Sequence, residues 1–157
     1  MKALFLAATL LLALPCFADA YHVPEGSYSG TGTWSDNFGA TGTWTMDITF
    51  TATATGYHEE FTSSMSDGRS YSGAADLTFD ANSNFVYTTT VGGSPMTIGH
   101  GVSSPGAYQV TDLMLNANES IAEFGDFSQC GVWQRWGTIT DKSSGRATQY
   151  KIQEFLQ

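Results

Sequence analysis

The chain has 157 residues, with 17 glycines, 4 prolines and 2 cysteines, and 6 basic against 15 acidic side chains give a formal charge of −9. At 41% hydrophobic and 13% charged, it is too apolar for a disordered chain and too broken by Gly, Ser and Thr for a helical bundle. Its cations stand singly at Lys2, Arg69, Arg135, Lys142, Arg146 and Lys151, so no basic stripe offers itself to phosphates, which argues against nucleic acid and anionic membrane surfaces as partners.

The first 20 residues read as a signal peptide. Lys2 supplies a cationic start, Ala3 to Leu14 an apolar run, and Ala18-Asp19-Ala20 the small-x-small form cut by signal peptidase. The run is too short to span a bilayer, and Pro15 before Cys16 argues against a lipoprotein signal. Cleavage after Ala20 leaves a single domain, 21–157, that is secreted or periplasmic. Cys130 is then the only mature cysteine, expected to be a small buried residue outside any disulfide.

Period-two alternation follows. Gly26, Tyr28, Gly30, Gly32 and Trp34 share one face, Ser27, Ser29, Thr31, Thr33 and Ser35 the other. After the turn Asp36-Asn37-Phe38-Gly39, a strand is predicted from Ala40 to Ala54, with Thr41, Thr43, Thr45, Asp47, Thr49, Thr51 and Thr53 opposite Trp44, Met46, Ile48 and Phe50. Further strands are predicted over 57–65, 70–79, 85–91, 96–102, 107–115, 121–127, 132–140 and 147–156, parted by turn signals such as Asp67-Gly68 and Gly92-Gly93-Ser94-Pro95. No apolar helical period persists beyond the signal. Short connections make successive strands antiparallel neighbours, and eight to ten of them close into an up-and-down β-barrel that removes both sheet edges; a sandwich is the second architecture.

Gly32-Thr33-Trp34 and the loop running to Thr41 resemble the opening strand and loop of avidin-like barrels. The same Gly-x-Trp, with the late Arg135 beside Trp133, resembles the calycin group, which includes lipocalins, fatty-acid-binding proteins and avidins. That resemblance implies a barrel that takes a small ligand at its open end, with Trp34 and Arg135 packed together to close the other. Asp36 and Ala40 stand where avidins carry Asn and Ser for biotin, and only Ser35 to Ala40 occupies the place of the two helices of fatty-acid-binding proteins. Gly26-Ser27-Tyr28-Ser29-Gly30-Thr31-Gly32 is similar to the opening of nitrobindin-like haem barrels, yet no histidine beyond His100 matches their iron ligand.

His22, His58 and His100 lack the spacing that brings imidazoles onto one metal, so neither metal nor cofactor is expected. In His58-Glu59-Glu60 the outer two share a strand face. If Glu59 follows Tyr57, Phe61 and Met65 inward, it is a buried carboxylate with a raised pKa; the same holds for Glu123 among Ile121, Gly125 and Phe127, with Arg135 as countercharge or as a plug stacked between rings. Nucleophile elbows, phosphate loops and zinc-protease motifs are absent from the sequence, and no catalytic residue is assigned. The expected function is binding of a small hydrophobic or amphipathic molecule, with Trp44, Phe50, Tyr57, Glu59, Phe61, Tyr71, Phe79, Tyr87 and Arg135 as its lining. The alternatives are an outer-membrane barrel with the Trp44 face toward lipid, and a filled scaffold that binds protein or glycan through loops or its Thr rows.

Overall fold

A computed structural model describes residues 23–157, so the predicted signal segment and His22 lie outside the described residues. Ten strands run in chain order: β1 (Gly26–Asp36), β2 (Thr41–Ala52), β3 (Gly56–Met65), β4 (Ser70–Phe79) and β5 (Asn84–Val91). The second half holds β6 (Ser94–Ser104), β7 (Ala107–Met114), β8 (Glu119–Gln129), β9 (Val132–Asp141) and β10 (Arg146–Leu156). Each strand pairs antiparallel with the next, and β1 also pairs with β10, with Gly32 opposite Trp44 on one side and Ile152 on the other. The result is a closed up-and-down barrel, consistent with a calycin-like fold.

Alternation decides which face is inside. Trp44, Met46, Ile48 and Phe50 of β2 are buried in the barrel, while Thr41, Thr43, Thr45 and Asp47 point to solvent. Reversing that register by one residue would exchange the two sets, so the hydrophobic pattern pins the pairing. The apolar faces of β2 and β4 are therefore spent on the core, which withdraws the strand that a lipid-facing reading relies on.

Strand ends agree with the sequence expectation to within two residues, and β4 coincides with it at both ends. Gly92 and Gly93, with φ of 58° and 83°, make a two-residue hairpin turn that joins Val91 directly to Ser94, so Pro95 enters β6 opposite Thr90 rather than ending a loop. Two positive φ values are what the right-handed twist of a tight hairpin requires. Cys130 departs from expectation more sharply. It is exposed in the β8–β9 turn rather than buried. The turn carries its side chain off the inward face of both flanking strands, so it has no place in the core.

The end of the barrel that carries the β2–β3, β4–β5, β6–β7 and β8–β9 turns is filled with rings. Phe50 lies 5.3 Å from Trp133 and 6.0 Å from Tyr57, centroid to centroid, and Tyr108 lies 5.9 Å from Trp133, mostly in edge contacts. Only about 20 Å³ remains open among them.

The opposite end has two unlike halves. On one, Arg146 Nε meets Asp36 Oδ2 at 2.6 Å, Arg69 Nε meets Asp67 Oδ2 at 2.8 Å, and the Arg69 guanidinium lies 5.2 Å above the Trp34 ring. On the other, the ladder gives out. Registered pairing between β4 and β5 covers only Asp76↔Thr88 to Phe79↔Phe85, and that between β6 and β7 only His100↔Thr111 to Ser104↔Ala107. The outer part of the β5–β6 hairpin is thus paired only with itself, with register irregularities at Tyr87/Thr88 and Val110/Leu113 beside its base.

Urea unfolding tests this inside-out assignment. Phe50→Ala is expected to cost about 3–5 kcal/mol, and Thr45→Ala on the outer face less than about 0.5 kcal/mol. Equal costs would overturn the register.

Candidate functional site

Near the middle of the barrel a group of charged and phenolic side chains interrupts the apolar core. Arg135, on the inner face of β9, is 5% exposed and its guanidinium lies 4.4 Å from the Trp133 ring. Its Nε donates to Glu154 Oε2 at 2.8 Å, Nη1 to Glu123 Oε1 at 3.4 Å, and Nη2 touches Met46 Sδ. Both oxygens of Glu123 also receive phenol protons, from Tyr108 at 2.6 Å and Tyr150 at 2.5 Å.

Glycines make those phenol contacts possible. A β-carbon at Gly125 would sit 2.0 Å from the Tyr108 ring, and one at Gly137, directly across from Glu123, would sit 2.8 Å from the Tyr150 hydroxyl oxygen. Removing two side chains lets two rings lie against the strands and aim both hydroxyls at one carboxylate.

Three inner carboxylates, Glu59, Glu123 and Glu154, face one guanidinium. Burial works against the charge on Arg135, but Glu123 and Glu154 overcome it and hold its pKa well above the usual value. Burial pushes Glu59 and Glu154 up to about 7, with Arg135 offsetting part of the effect and Glu123 adding repulsion. Tyr87, Tyr108 and Tyr150 are raised well above 10, by burial first and neighbouring carboxylates second, so they serve as hydrogen-bond donors rather than bases. The Tyr87 hydroxyl neighbours Glu59 and offsets part of the effect of burial on its carboxyl.

A cleft of about 520 Å³ opens where the β4–β5 ladder ends. Phe61, Ala75, Ile98 and Leu113 form apolar walls, and Glu59 and Tyr87 lie at its inner end. Behind it, an inner space of about 40 Å³ shares Glu59, Phe61, Tyr87 and Leu113 with the cleft and continues to Trp44, Met46, Glu123 and Arg135. The cleft lies within the roughly 300–1,000 Å³ usual for small-molecule sites.

Of the residues expected to line a site, Glu59, Phe61 and Tyr87 meet in the cleft, while Trp44, Tyr71 and Arg135 border the space behind it. Phe50, Tyr57 and Phe79 pack together around the small void at the filled end. The family resemblance implies that Arg135 packs on Trp34; the structure instead gives Trp34 to Arg69, because Arg135 follows Trp133 on the same inward face of β9 and stacks on that ring. Glu154 and Tyr150 were missed, although they alternate with exposed Lys151 and Gln153 on β10 and period two alone places them inside. His58 is on the outer wall, its Nδ1 2.7 Å from Asp76 Oδ1, a cross-strand partner that sequence spacing does not reveal. Among the described residues no cluster of three metal-ligating side chains forms.

No family model matches the chain, and no curated protein does. Solved structures do resemble it. A protein of unknown function from the DUF3598 family of Nostoc punctiforme superposes with a TM-score of 0.61 at 12% identity, over 89% of this chain and 51% of that one. This chain therefore spans about half the length of that relative. The S-type phycobiliprotein lyase CPES from Guillardia theta gives 0.64 at 13% identity, over 85% and 88% of the two chains. EF1p2_mFAP2b, solved bound to DFHBI, gives 0.50 at 11% identity, over 90% and 99%. At such identities the likeness establishes the barrel and nothing finer.

The raised carboxyl groups set a pH dependence. Unfolded glutamate titrates near 4.5, so folding takes up protons at Glu59 and Glu154 between there and about 7, and stability falls as the pH rises across that window. One proton contributes at most about 1.4 kcal/mol per pH unit. Asp80 and Asp141, lowered by side-chain hydrogen bonds from Asn84 and from Ser144, lose their stabilising effect only in stronger acid. His58, raised by Asp76, adds a decline of the same sign on the outer surface, so the diagnostic is a difference between variants. The urea midpoint of the wild type is expected to drop from pH 5 to pH 8, and that of Glu59→Gln to drop measurably less. Parallel profiles would place Glu59 outside the titrating network.

Proposed function

We propose that this protein is an exported, calycin-like barrel that binds a small hydrophobic or amphipathic molecule and does not transform it. The observation that carries the reading is the cleft: about 520 Å³ with apolar walls, open to solvent where a ladder stops, and ending on two buried polar groups. A barrel filled from end to end has no such feature. Support comes also from barrels of similar outline, one named a phycobiliprotein lyase and another holding DFHBI.

Export rests on residues 1–20, whose cationic start, apolar run and Ala18-Asp19-Ala20 fit a cleaved leader. The chain acts in the periplasm or outside the cell, without nucleic acid or a membrane as its partner.

Native mass spectrometry of the full chain, expressed with its leader and recovered without detergent, tests both parts. The expected result is a covalent mass beginning at Tyr21, with additional non-covalent mass or uptake of an environment-sensitive dye. Leu113→Trp, which narrows the cleft, is expected to weaken dye binding at least tenfold. A bare mass with no dye uptake would make the protein a filled scaffold, a covalent mass that retains the leader would overturn processing, and insolubility without detergent would restore the membrane reading.

A further inference from the structure

The acceptors and donors at the inner end of the cleft are unequally committed. Arg135 is engaged through all three of its nitrogens, to Glu154, Glu123 and Met46. Glu123 has both oxygens occupied by phenols, and Tyr108 and Tyr150 spend their protons on it. Glu59 is different. It is 6% exposed, borders both the cleft and the space behind it, and has the Tyr87 hydroxyl as its polar neighbour at the cleft. A carboxylate offers about four acceptor sites, so Glu59 keeps capacity for a donor that arrives from the cleft. Trp44, which lines the inner space, and Glu154 each hold a buried polar atom without a partner, Nε1 and Oε1 respectively. The interior also carries two more carboxyl groups than guanidinium groups. An incoming anion would meet Glu59 first, and the one guanidinium behind it is already engaged.

We propose that the cleft under the β5–β6 hairpin takes a molecule with an apolar body and a nitrogen hydrogen-bond donor, cationic or N–H, that docks on the Glu59 carboxylate. This rests on the binding reading above and narrows its ligand to amphiphiles headed by a donor. The apolar body lies against Phe61, Ala75, Ile98 and Leu113, and the head reaches past Tyr87. Entry is from the side, where the regular ladder ends at Asp76↔Thr88 and the hairpin is tied to β4 beyond it by Thr89 Oγ1 donating to the Ala74 carbonyl. A cationic head would offset part of the charge imbalance that the fold alone leaves in its interior.

Three probes with one chain and different heads decide it: dodecylamine, dodecanol and dodecanoate, titrated against the same dye on the full, processed protein at pH 8. Dodecylamine is expected to displace the dye at least tenfold more tightly than dodecanoate, with dodecanol between them. In Glu59→Gln the advantage of the amine over the alcohol is expected to fall about tenfold, while dodecanol keeps its affinity. Dodecanoate binding as tightly as the amine would overturn the proposal and leave the binding reading standing. An unchanged amine preference in a Glu59→Gln protein with a wild-type circular dichroism spectrum would overturn it as well. The head-group comparison on the wild type stands even if the variant fails to fold. Failure of the dye and all three probes to bind would overturn the binding reading itself, and the proposal with it.

Discussion

A guanidinium sealed inside a closed barrel must be neutralised where it stands, and much of the interior is arranged around that requirement. Arg135 is far from solvent, so its charge is tolerable only because Glu154 and Glu123 accept from it at close range and the Trp133 ring covers its face. Glu123 in turn needs donors, which brings Tyr108 and Tyr150 inward, and these rings need floor space, which Gly125 and Gly137 provide. One buried charge thus dictates residues on β6's neighbour β7, on β8, on β9 and on β10. The contribution of such a network to stability is modest at best, since desolvation consumes most of the attraction. Its geometric effect is larger: directional bonds among buried polar groups hold one arrangement of strands where an all-apolar filling would tolerate several.

The same economy explains why the two ends of the barrel differ. At the filled end, rings from seven strands close on each other and need no polar help. At the other, ion pairs among Asp36, Asp67, Arg69 and Arg146 cover Trp34 over the β1–β3 and β10 side, while the β4–β7 side stays open above Glu59. The barrel is therefore a packed core beneath a one-sided entrance rather than a hollow tube.

Much of this was legible in the sequence. Strict alternation on β2 placed its tryptophan, methionine, isoleucine and phenylalanine inside and its threonines outside, and the same alternation offered Glu59 and Glu123 an inward position that the structure gives them. Glu154 obeyed the identical rule but was overlooked, because a lone carboxylate among Gln and Lys resembles a solvated face until its register with β1 is known. The place where pairing stops was not legible. It depends on a register irregularity at Tyr87/Thr88 and on Asp112 at a φ of 57°, local twists that hydropathy does not encode. The family resemblance misled at Trp34, since which arginine reaches a ring is set by strand register and not by motif.

The seam between β1 and β10 imposes an order in time. Every other pairing joins strands that are consecutive in the chain and can form as each hairpin emerges during synthesis, whereas the seam joins the first strand made to the last. Glu154 and Tyr150 both ride on that last strand. Until it docks, Arg135 lacks one of its two carboxylates and Glu123 one of its two phenols, so a nascent barrel still short of β10 carries incompletely hydrogen-bonded charged groups toward its core. The electrostatic centre is completed in the same event that shuts the cylinder, and a chain halted before β10 is penalised in its interior as well as at its two open edges.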